Sequence, residues 1–178
     1  AVLHLAAQVA VTTSVTDPGT DFAVNAMGTF HVLDAIRRFC PETVFINAST
    51  NKVYGKIAGA DYELCGGRYA YVNRPFGIDE SEPLDFLSPY GCSKGAADQY
   101  ALDFARMYQI PATSFRQSCI YGPRQFGVED QGWVAWFAIA ALMGRSITLY
   151  GDGKQVRDVL YVDDLVRAYE AAILAPDK

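Results

Sequence analysis

A tyrosine and a lysine stand four residues apart in the stretch SPYGCSKGAADQY, residues 88–100. At this spacing the side chains of Tyr90 and Lys94 lie on the same face of a helix. An ammonium group held beside a phenol favours the phenolate and lowers the pKa of the phenol, which would make Tyr90 a usable acid/base near neutral pH. The alternative for an isolated Y-x-x-x-K is a packed tyrosine and a solvated lysine. The rest of the chain has to decide between the two.

The composition argues against several other kinds of function. The 178 residues are 51% hydrophobic and 20% charged, which is typical of one globular domain with a core of useful size. The net charge of −5 argues against nucleic acid and anionic membranes as partners, because both require a basic surface. Two histidines and four cysteines without C-x-x-C pairing predict no metal site. We expect reduced thiols in a cytoplasmic protein, and no apolar run reaches the length of a membrane span.

Buried strands and helices alternate on both sides of the Tyr90 and Lys94 pair. The predicted elements, in chain order, are strand 2–6, helix 19–39, strand 44–49, helix 88–108, strand 112–116, helix 134–143, strand 147–150 and helix 162–174. Strands that alternate with helices of this length are typical of βαβ units and a mostly parallel sheet. The segment 55–87 has scattered glycines, prolines and tyrosines without a clear period. We interpret it as a functional insertion.

Small and polar residues follow the predicted strands at the edge where a parallel sheet binds its ligands. The first strand leads into HLAAQVA, where Ala6 and Ala7 leave the backbone open to a flat ligand. The second leads into ASTNKVYG, where Thr50 presents a hydroxyl group, and the third into FRQSCIYGPRQ. Each feature alone is better explained by packing or by a turn. Their occurrence together with Tyr90 and Lys94, at one edge and in this order, predicts a binding site.

Six motifs in a fixed order extend this pattern over nearly the whole chain. They are HLAA, N-x-x-G-T (25–29), S-T-x-x-V-Y-G (49–55), S-P-Y-G-x-S-K (88–94), Y-G-P-R (121–124) and G-D-G-x-Q-x-R-D-x-x-Y-V-x-D (151–164). The set resembles the extended short-chain dehydrogenase/reductase family of nucleotide-sugar enzymes. The resemblance implies an α/β fold with a Rossmann-like, doubly wound parallel sheet that binds NAD, and a smaller domain that binds the nucleotide sugar.

The resemblance also implies how the chain is divided. Residues 1–120 would be the central and C-terminal part of the NAD-binding domain, with 55–87 as an insertion. Residues 121–178 would combine a substrate-binding segment with a return to the Rossmann-like domain. The chain contains no G-x-x-G-x-x-G phosphate loop, and Ala1 begins inside a predicted strand. We therefore expect a piece of a longer protein that lacks the N-terminal βαβ portion.

The same resemblance implies roles for individual residues. Tyr90 would be the acid/base, Lys94 would bond the nicotinamide ribose and lower the tyrosine pKa, and Thr50 would bond the reacting hydroxyl. The implied cofactor-binding residues are Leu5, Ala6, Ala7, Gln8, Asn25, Ala48, Ser49, Tyr90, Lys94, Gln117 and Ser118. The implied substrate-binding residues are Thr50, Asn51, Cys119, Arg124, Thr148 and Arg157.

The residues after Thr50 bear on which reaction is catalysed. Family members that eliminate water carry an Asp-Glu pair there, because elimination needs an acid and a base. Here the pair is Asn51 and Lys52, and Cys119 stands where many 4-epimerases have an asparagine. The insertion and stretches such as GKQVRDVL resemble members that epimerise CDP-sugars at C2. We predict an NAD-dependent nucleotide-sugar epimerase, with a 4-epimerase, a 4,6-dehydratase and a catalytically silent binding protein as alternatives.

Three further expectations concern the substrate and the assembly. Arg157 is predicted to bind the pyrophosphate of the substrate, and the alternative is an ion pair with Asp158 or Asp163. The insertion is predicted to cover the sugar, with a surface or subunit contact as the alternative. The family implies a homodimer or homotetramer formed through the helices at 19–39 and 88–108.

Overall fold

The structure, a computed structural model, describes residues 1–175 as strands alternating with helices. The elements in chain order are β1 (Val2–His4), α1 (Val11–Thr16), α2 (Pro18–Phe22), α3 (Gly28–Phe39), β2 (Phe45–Thr50), β3 (Tyr62–Cys65), β4 (Arg68–Tyr71), α4 (Pro89–Tyr108), β5 (Ala112–Gln117), β6 (Cys119–Tyr121), α5 (Trp133–Leu142), β7 (Val159–Tyr161) and α6 (Val162–Leu174). One turn of π-helix, Ala23–Met27, joins α2 to α3, and a 3-10 turn, Asn51–Tyr54, follows β2.

The central sheet has three parallel strands in the order β1, β2, β5. Its register places Phe45 of β2 opposite Val2 of β1 and Ala112 of β5, and places Thr50 opposite Gln117. The three strands therefore end at the same edge of the sheet. The other strands of the described residues form an antiparallel hairpin, β3 with β4, and a short parallel pair, β6 with β7.

Helices pack on both faces of this sheet because successive side chains of β2 point in opposite directions. Phe45 packs on one face with Leu33 of α3 and Phe104 of α4. Its neighbour Ile46 packs on the other face with Leu165 and Tyr169 of α6. A parallel sheet covered on both faces explains why β2 reads as a nearly continuous apolar run. The predicted α/β fold with a doubly wound parallel sheet is confirmed.

Several regions differ from the sequence-based expectations, and α1, β6 and β7 were not predicted from the sequence. The predicted strand at 147–150 is wrong, because Ile147, Leu149 and Tyr150 are 38%, 66% and 71% exposed and pair with no strand within residues 1–175. An apolar run becomes a strand only where a neighbour can accept its hydrogen bonds. The 55–87 insertion, which showed no clear period, contains the β3–β4 hairpin. Within residues 1–175, no helix combines the length and the apolar character that crossing a membrane requires.

A buried ion pair joins α4 to β5. Asp98 has no exposed surface and accepts hydrogen bonds from the Arg116 guanidinium at 3.2 and 2.8 Å and from the Ser114 hydroxyl at 2.7 Å. Arg116 also donates to the Tyr54 hydroxyl at 3.1 Å and lies over its ring. Burial opposes ionisation of Asp98, but Arg116 and Ser114 hold its pKa below the usual range. The pair fixes the distance between α4 and the sheet.

We predict that Asp98→Ala lowers the free energy of unfolding by about 3 kcal/mol, because it leaves a largely buried guanidinium without its anion. Urea denaturation of the full-length protein measures this change. Asp103→Ala is the matched control, since it removes an exposed carboxylate of the same helix that lies 3.8 Å from Arg106. It should change the free energy by less than about 0.5 kcal/mol. Equal losses in the two variants would contradict the importance of the buried pair.

The same variant has a defined pH dependence. The folded-state pKa of Asp98 is lowered, so the stabilisation is present above the ordinary carboxyl pKa and is lost as pH falls through the lower, folded-state value. The difference in stability between the wild type and Asp98→Ala should therefore be largest near neutral pH. It should shrink in strong acid.

Candidate active site

The tyrosine and lysine of the SPYGCSK motif are buried at the carboxyl end of the sheet. Tyr90 and Lys94 lie one turn apart at the start of α4 and are 9% and 6% exposed. The Lys94 ammonium donates to the backbone carbonyl of Ala48 in β2. Thr50, two residues further along β2, is also buried, and its hydroxyl accepts the Lys52 N–H at 3.2 Å and lies near enough to the Tyr90 phenol to lower the pKa of that phenol. The fold thus brings the three predicted catalytic residues together.

The pKa values of Tyr90 and Lys94 depend on burial and on nearby groups. Burial raises the pKa of Tyr90, the Thr50 hydroxyl lowers it, and the negative charge of Asp21 raises it further. Burial lowers the pKa of Lys94, whereas Asp98 and Asp21 raise it. Lys94 is not among the groups that shift the pKa of Tyr90 here, so its implied role in lowering that pKa stays a prediction. Burial dominates both pKa values because the dry surroundings penalise the charged form of each side chain.

Two serines fix the start of α4. Ser88 precedes the helix, and its hydroxyl accepts a hydrogen bond from the Gly91 N–H at 3.1 Å. Ser14 of α1 is fully buried and accepts the N–H of Tyr90, also at 3.1 Å. The first N–H groups of a helix have no partner within it, so each serine satisfies one of them. The S-P-Y motif predicts the first contact, but nothing local predicts the second, because Ser14 and Tyr90 are 76 residues apart.

Asn25 joins the residues after β1 to helix α4. Its side-chain oxygen accepts the Gln8 backbone N–H at 2.9 Å, and its amide nitrogen lies 3.1 Å from the Gln8 carbonyl and 3.1 Å from the Ser93 hydroxyl. Ser93 lies in α4 between Tyr90 and Lys94. Asn25 lies in the π-helical turn, a local geometry that is frequent at functional sites. Its observed contacts position Gln8 relative to α4.

Asp21 is a residue of this site that the sequence analysis missed. It has no exposed surface, and its Oδ1 accepts hydrogen bonds from the Gln8 side chain at 2.8 Å and from Asn25 at 3.1 Å. Its Oδ2 has no hydrogen-bond partner among the residues that the structure describes. Asp21 precedes Asn25 by four residues, which places both on one helical face. The four-residue spacing in the sequence could have linked Asp21 to Asn25, but it gave no sign that Asp21 is buried.

The other predicted cofactor-binding residues lie at the ends of the three strands. Leu5 and Ala6 are exposed directly after β1, with Ala7 half-buried beside them. Ala48 and Ser49 lie at the end of β2, and Gln117 and Ser118 follow at the end of β5. The Gln117 side chain already accepts a hydrogen bond from Tyr169 of α6 at 2.7 Å. The backbone of Gln117 and the residue Ser118 lie at the carboxyl edge that the three strands share.

The predicted substrate-binding residues are more dispersed. Asn51 is exposed next to Thr50, and Cys119 is half-buried in β6. Arg124, Thr148 and Arg157 are exposed outside helices and strands, and no hydrogen bond or ion pair within residues 1–175 links them to Tyr90 or Lys94. Among the described residues, the Arg157 guanidinium donates only to the adjacent Val156 carbonyl, at 3.3 Å. Its alternative ion pair with Asp158 or Asp163 does not occur among the described residues.

The 55–87 insertion is attached to the site at both ends. The Asp85 N–H donates to the Val53 carbonyl at 3.1 Å. Gly55 has a positive φ of 53°, and a Cβ there would lie 1.5 Å from the Asp85 carbonyl oxygen, so only glycine fits. Phe86 lies against Gly95 of α4, where a Cβ would come within 2.2 Å of its ring. The two ends of the insertion therefore meet beside α4 and the turn after Thr50.

The described part of the chain offers no metal-binding cluster. Across residues 1–175, no three His, Cys, Asp or Glu side chains are grouped so that they could hold a metal ion. The four cysteines are free thiols.

Comparison with known proteins agrees with this geometry. The family model described as the NAD dependent epimerase/dehydratase family matches residues 1–178. The chain is 48% identical over 175 residues to the CDP-paratose 2-epimerase of Salmonella typhi, and the alignment covers 96% of this chain and 52% of that protein. The chain thus spans about half the length of the curated relatives it matches.

Solved structures support the same relationship. The UDP-glucose 4-epimerase of Thermotoga maritima with UDP-glucose matches with a TM-score of 0.79 at 34% identity, over 96% of this chain and 50% of that one. The UDP-glucose 4-epimerase of Thermus thermophilus in complex with NAD matches with a TM-score of 0.79 at 34% identity, over 96% and 52% of the two chains. Together with the buried tyrosine, lysine and threonine at the sheet edge, these matches show that the chain belongs to the NAD-dependent epimerase/dehydratase family.

Proposed function

We propose that the protein containing this chain is an NAD-dependent nucleotide-sugar epimerase that inverts C2 of CDP-paratose and so forms CDP-tyvelose. The observation that carries the catalytic part is the buried trio Thr50, Tyr90 and Lys94 at the carboxyl end of the sheet. The 48% identity to the CDP-paratose 2-epimerase of Salmonella typhi supports the choice of substrate and of the carbon that is inverted.

The residues at the strand ends fit NAD. A lysine ammonium has three N–H donors, and Lys94 uses one of them on the Ala48 carbonyl. Its other two donors have no hydrogen-bond partner within residues 1–175, which suits the two hydroxyls of a ribose. Ala6 and Ala7 present little side-chain volume after β1, so a flat ring can approach the backbone there. Bound NAD would supply a hydride acceptor that returns the hydride to the sugar, so no net oxidation results.

Side chains of this protein would transfer the proton of the reacting hydroxyl and stabilise the resulting charges. Tyr90 as phenolate takes the proton of the C2 hydroxyl while the C2 hydrogen leaves as hydride, and it returns the proton after the 2-keto sugar has presented its other face. Thr50 bonds the reacting oxygen. Because burial raises the pKa of Tyr90, the phenolate needs a nearby cation. Lys94 supplies it, and Asp98 and Asp21 oppose the loss of its proton.

Specific residues weigh against the alternatives. A 4,6-dehydratase needs an acid and a base for elimination, whereas Asn51 and Lys52 follow Thr50 here. A standard 4-epimerase is less favoured because Cys119 stands where many of them have an asparagine. A catalytically silent binding protein would not need Thr50, Tyr90 and Lys94 intact. Epimerisation at C2 therefore remains the best-supported reaction.

We predict that the full-length protein inverts C2 of CDP-paratose and acts poorly on CDP-glucose and UDP-glucose. Incubation with each nucleotide sugar, followed by NMR of the products, measures this directly. Inversion at C4 alone, or formation of a 4-keto-6-deoxy sugar, would replace the proposed reaction by one of the alternatives. The absence of any product with all three sugars would favour the silent binding protein.

We predict that Tyr90→Phe and Lys94→Met each lower kcat by about 10²- to 10⁴-fold, because the first removes the group that takes the proton and the second removes the cation that the phenolate needs. Tyr108→Phe is the matched control, since Tyr108 lies at the far end of α4 and is 46% exposed. It should leave kcat unchanged within about twofold. Circular dichroism of all variants checks that the fold is retained. Near-normal kcat in both Tyr90→Phe and Lys94→Met would reject the mechanism.

We predict that Arg157→Ala weakens binding of CDP by about thirty-fold to a thousand-fold, or roughly 2 to 4 kcal/mol, because the guanidinium can bond two phosphate oxygens at once. Calorimetry measures the affinity, and the affinity for NAD should not change. Arg167→Ala is the control, because that arginine is exposed and paired with Asp164 within α6. A CDP affinity that stays within about twofold of wild type would make Arg157 structural.

A further inference from the structure

The regular secondary structure of the insertion 55–87 is the β3–β4 hairpin. β3 and β4 meet at Gly66 and Gly67, whose φ angles of 59° and 84° fit a tight two-residue turn. Tyr69 of β4 packs edge-to-face against Tyr62 of β3, with 5.8 Å between ring centres. The ring of Tyr69 is therefore held by its own hairpin. The N–H and the hydroxyl of Tyr69 point to partners outside the hairpin.

Tyr69 bonds twice to the loop 151–156, which belongs to the long motif that carries Arg157. Its N–H donates to the Lys154 carbonyl at 3.1 Å, and its hydroxyl donates to Asp152 Oδ2 at 2.9 Å. The other oxygen of Asp152 accepts the Lys154 N–H at 3.0 Å. One carboxylate thus connects the hairpin to the backbone of the loop. The hydrogen bond to Asp152 also raises the pKa of the Tyr69 phenol, so the hydroxyl remains a donor.

The loop has little structure of its own. Residues 151–158 contain no helix or strand, and Gly151 and Gly153 have positive φ angles of 87° and 75°. Regular pairing resumes at Val159, which lies opposite Cys119 in the β6–β7 pair. Arg157 therefore lies between two fixed points, three residues after the Tyr69 contact at Lys154 and two before β7. The two Tyr69 contacts therefore restrain the loop on the side of Arg157 that lies away from β7.

The rest of the insertion is itself held by contacts at its ends and by an internal ion pair. Its ends are attached beside α4 through Asp85 and Phe86. Between the hairpin and those ends, Arg74 and Glu82 form an ion pair at 3.0 Å in which the glutamate side chain is 8% exposed. The insertion therefore connects helix α4 to the loop of Arg157 through its own hydrogen bonds and ion pair.

We infer that the insertion braces the loop 151–156 and that Tyr69 is a positioning residue, which holds Arg157 in place for the diphosphate of a nucleoside diphosphate. The inference rests on the proposed function, because it takes Arg157 as the ligand of the pyrophosphate. It assigns the hairpin to the nucleotide side of the substrate. A cover over the sugar remains a separate prediction for the rest of the insertion.

The test is Tyr69→Phe in the full-length protein, which removes one hydroxyl and keeps the ring and the backbone hydrogen bond. We expect the Kd for CDP to rise about fivefold, equivalent to about 1 kcal/mol, while the Kd for NAD stays unchanged. Tyr71→Phe is the matched control: Tyr71 lies on the same strand, is 41% exposed and makes no side-chain hydrogen bond within residues 1–175. Its Kd for CDP should equal that of the wild type.

A double-mutant cycle with Asp152→Ala separates the contact from a general effect on the loop. Once Asp152 lacks its carboxylate, adding Tyr69→Phe should change the Kd for CDP by less than about twofold. Independent, fully additive losses would overturn the inference. So would a Tyr69→Phe protein that binds CDP normally, or one that loses affinity for NAD as much as for CDP.

Hydrogen exchange distinguishes failure of the brace from failure of the proposed function. If the wild-type protein does not bind CDP, the nucleotide role of Arg157 is rejected. Faster exchange of the backbone amides of 151–156 in Tyr69→Phe than in Tyr71→Phe would then still support the brace. Equal exchange in the two variants would overturn it.

Discussion

The candidate site depends on how the first three turns of α4 are held against the end of β2. Two charged residues of this helix, Lys94 and Asp98, are buried one turn apart and face the sheet. A buried charge is tolerated only with a partner, and each finds one on a different strand: the Ala48 carbonyl of β2 for Lys94 and the Arg116 guanidinium of β5 for Asp98. These contacts fix both the distance and the rotation of the helix. They thereby set where the Tyr90 phenol lies.

The burial of the site also controls the protonation of Tyr90 and Lys94. A dry environment makes both the phenolate of Tyr90 and the ammonium of Lys94 unfavourable, so their charges depend on neighbours. The carboxylates of Asp98 and Asp21 favour the ammonium. Asp21 also accepts hydrogen bonds from the side chains of Gln8 and Asn25, so one buried carboxylate links the electrostatics of Tyr90 and Lys94 to the backbone after β1.

The insertion extends this arrangement toward the substrate side. Its ends lie against Gly55 and Gly95, where an added side chain would not fit, and its hairpin reaches the loop before β7. A segment without recognisable periodicity thus spans from helix α4 to the loop before Arg157, the arginine that we propose as the ligand of the diphosphate. We therefore expect changes in the insertion to affect nucleotide binding without touching Tyr90 or Lys94. This gives a physical reason to treat the insertion as part of the site.

The amino-acid sequence by itself determined the alternation of strands and helices and the grouping of Thr50, Tyr90 and Lys94. Both follow from short-range patterns, because side-chain periodicity is local and parallel strands end at a common edge. Only the tertiary structure decided the partners that make the site specific. Ser14 meets Tyr90 across 76 residues and Tyr69 meets Asp152 across 83, separations at which no local pattern remains. Residues 147–150 do not form the expected strand, because a strand needs a neighbouring strand to accept its backbone hydrogen bonds. The pKa of Tyr90 rises because desolvation depends on everything packed around the phenol, which no motif records.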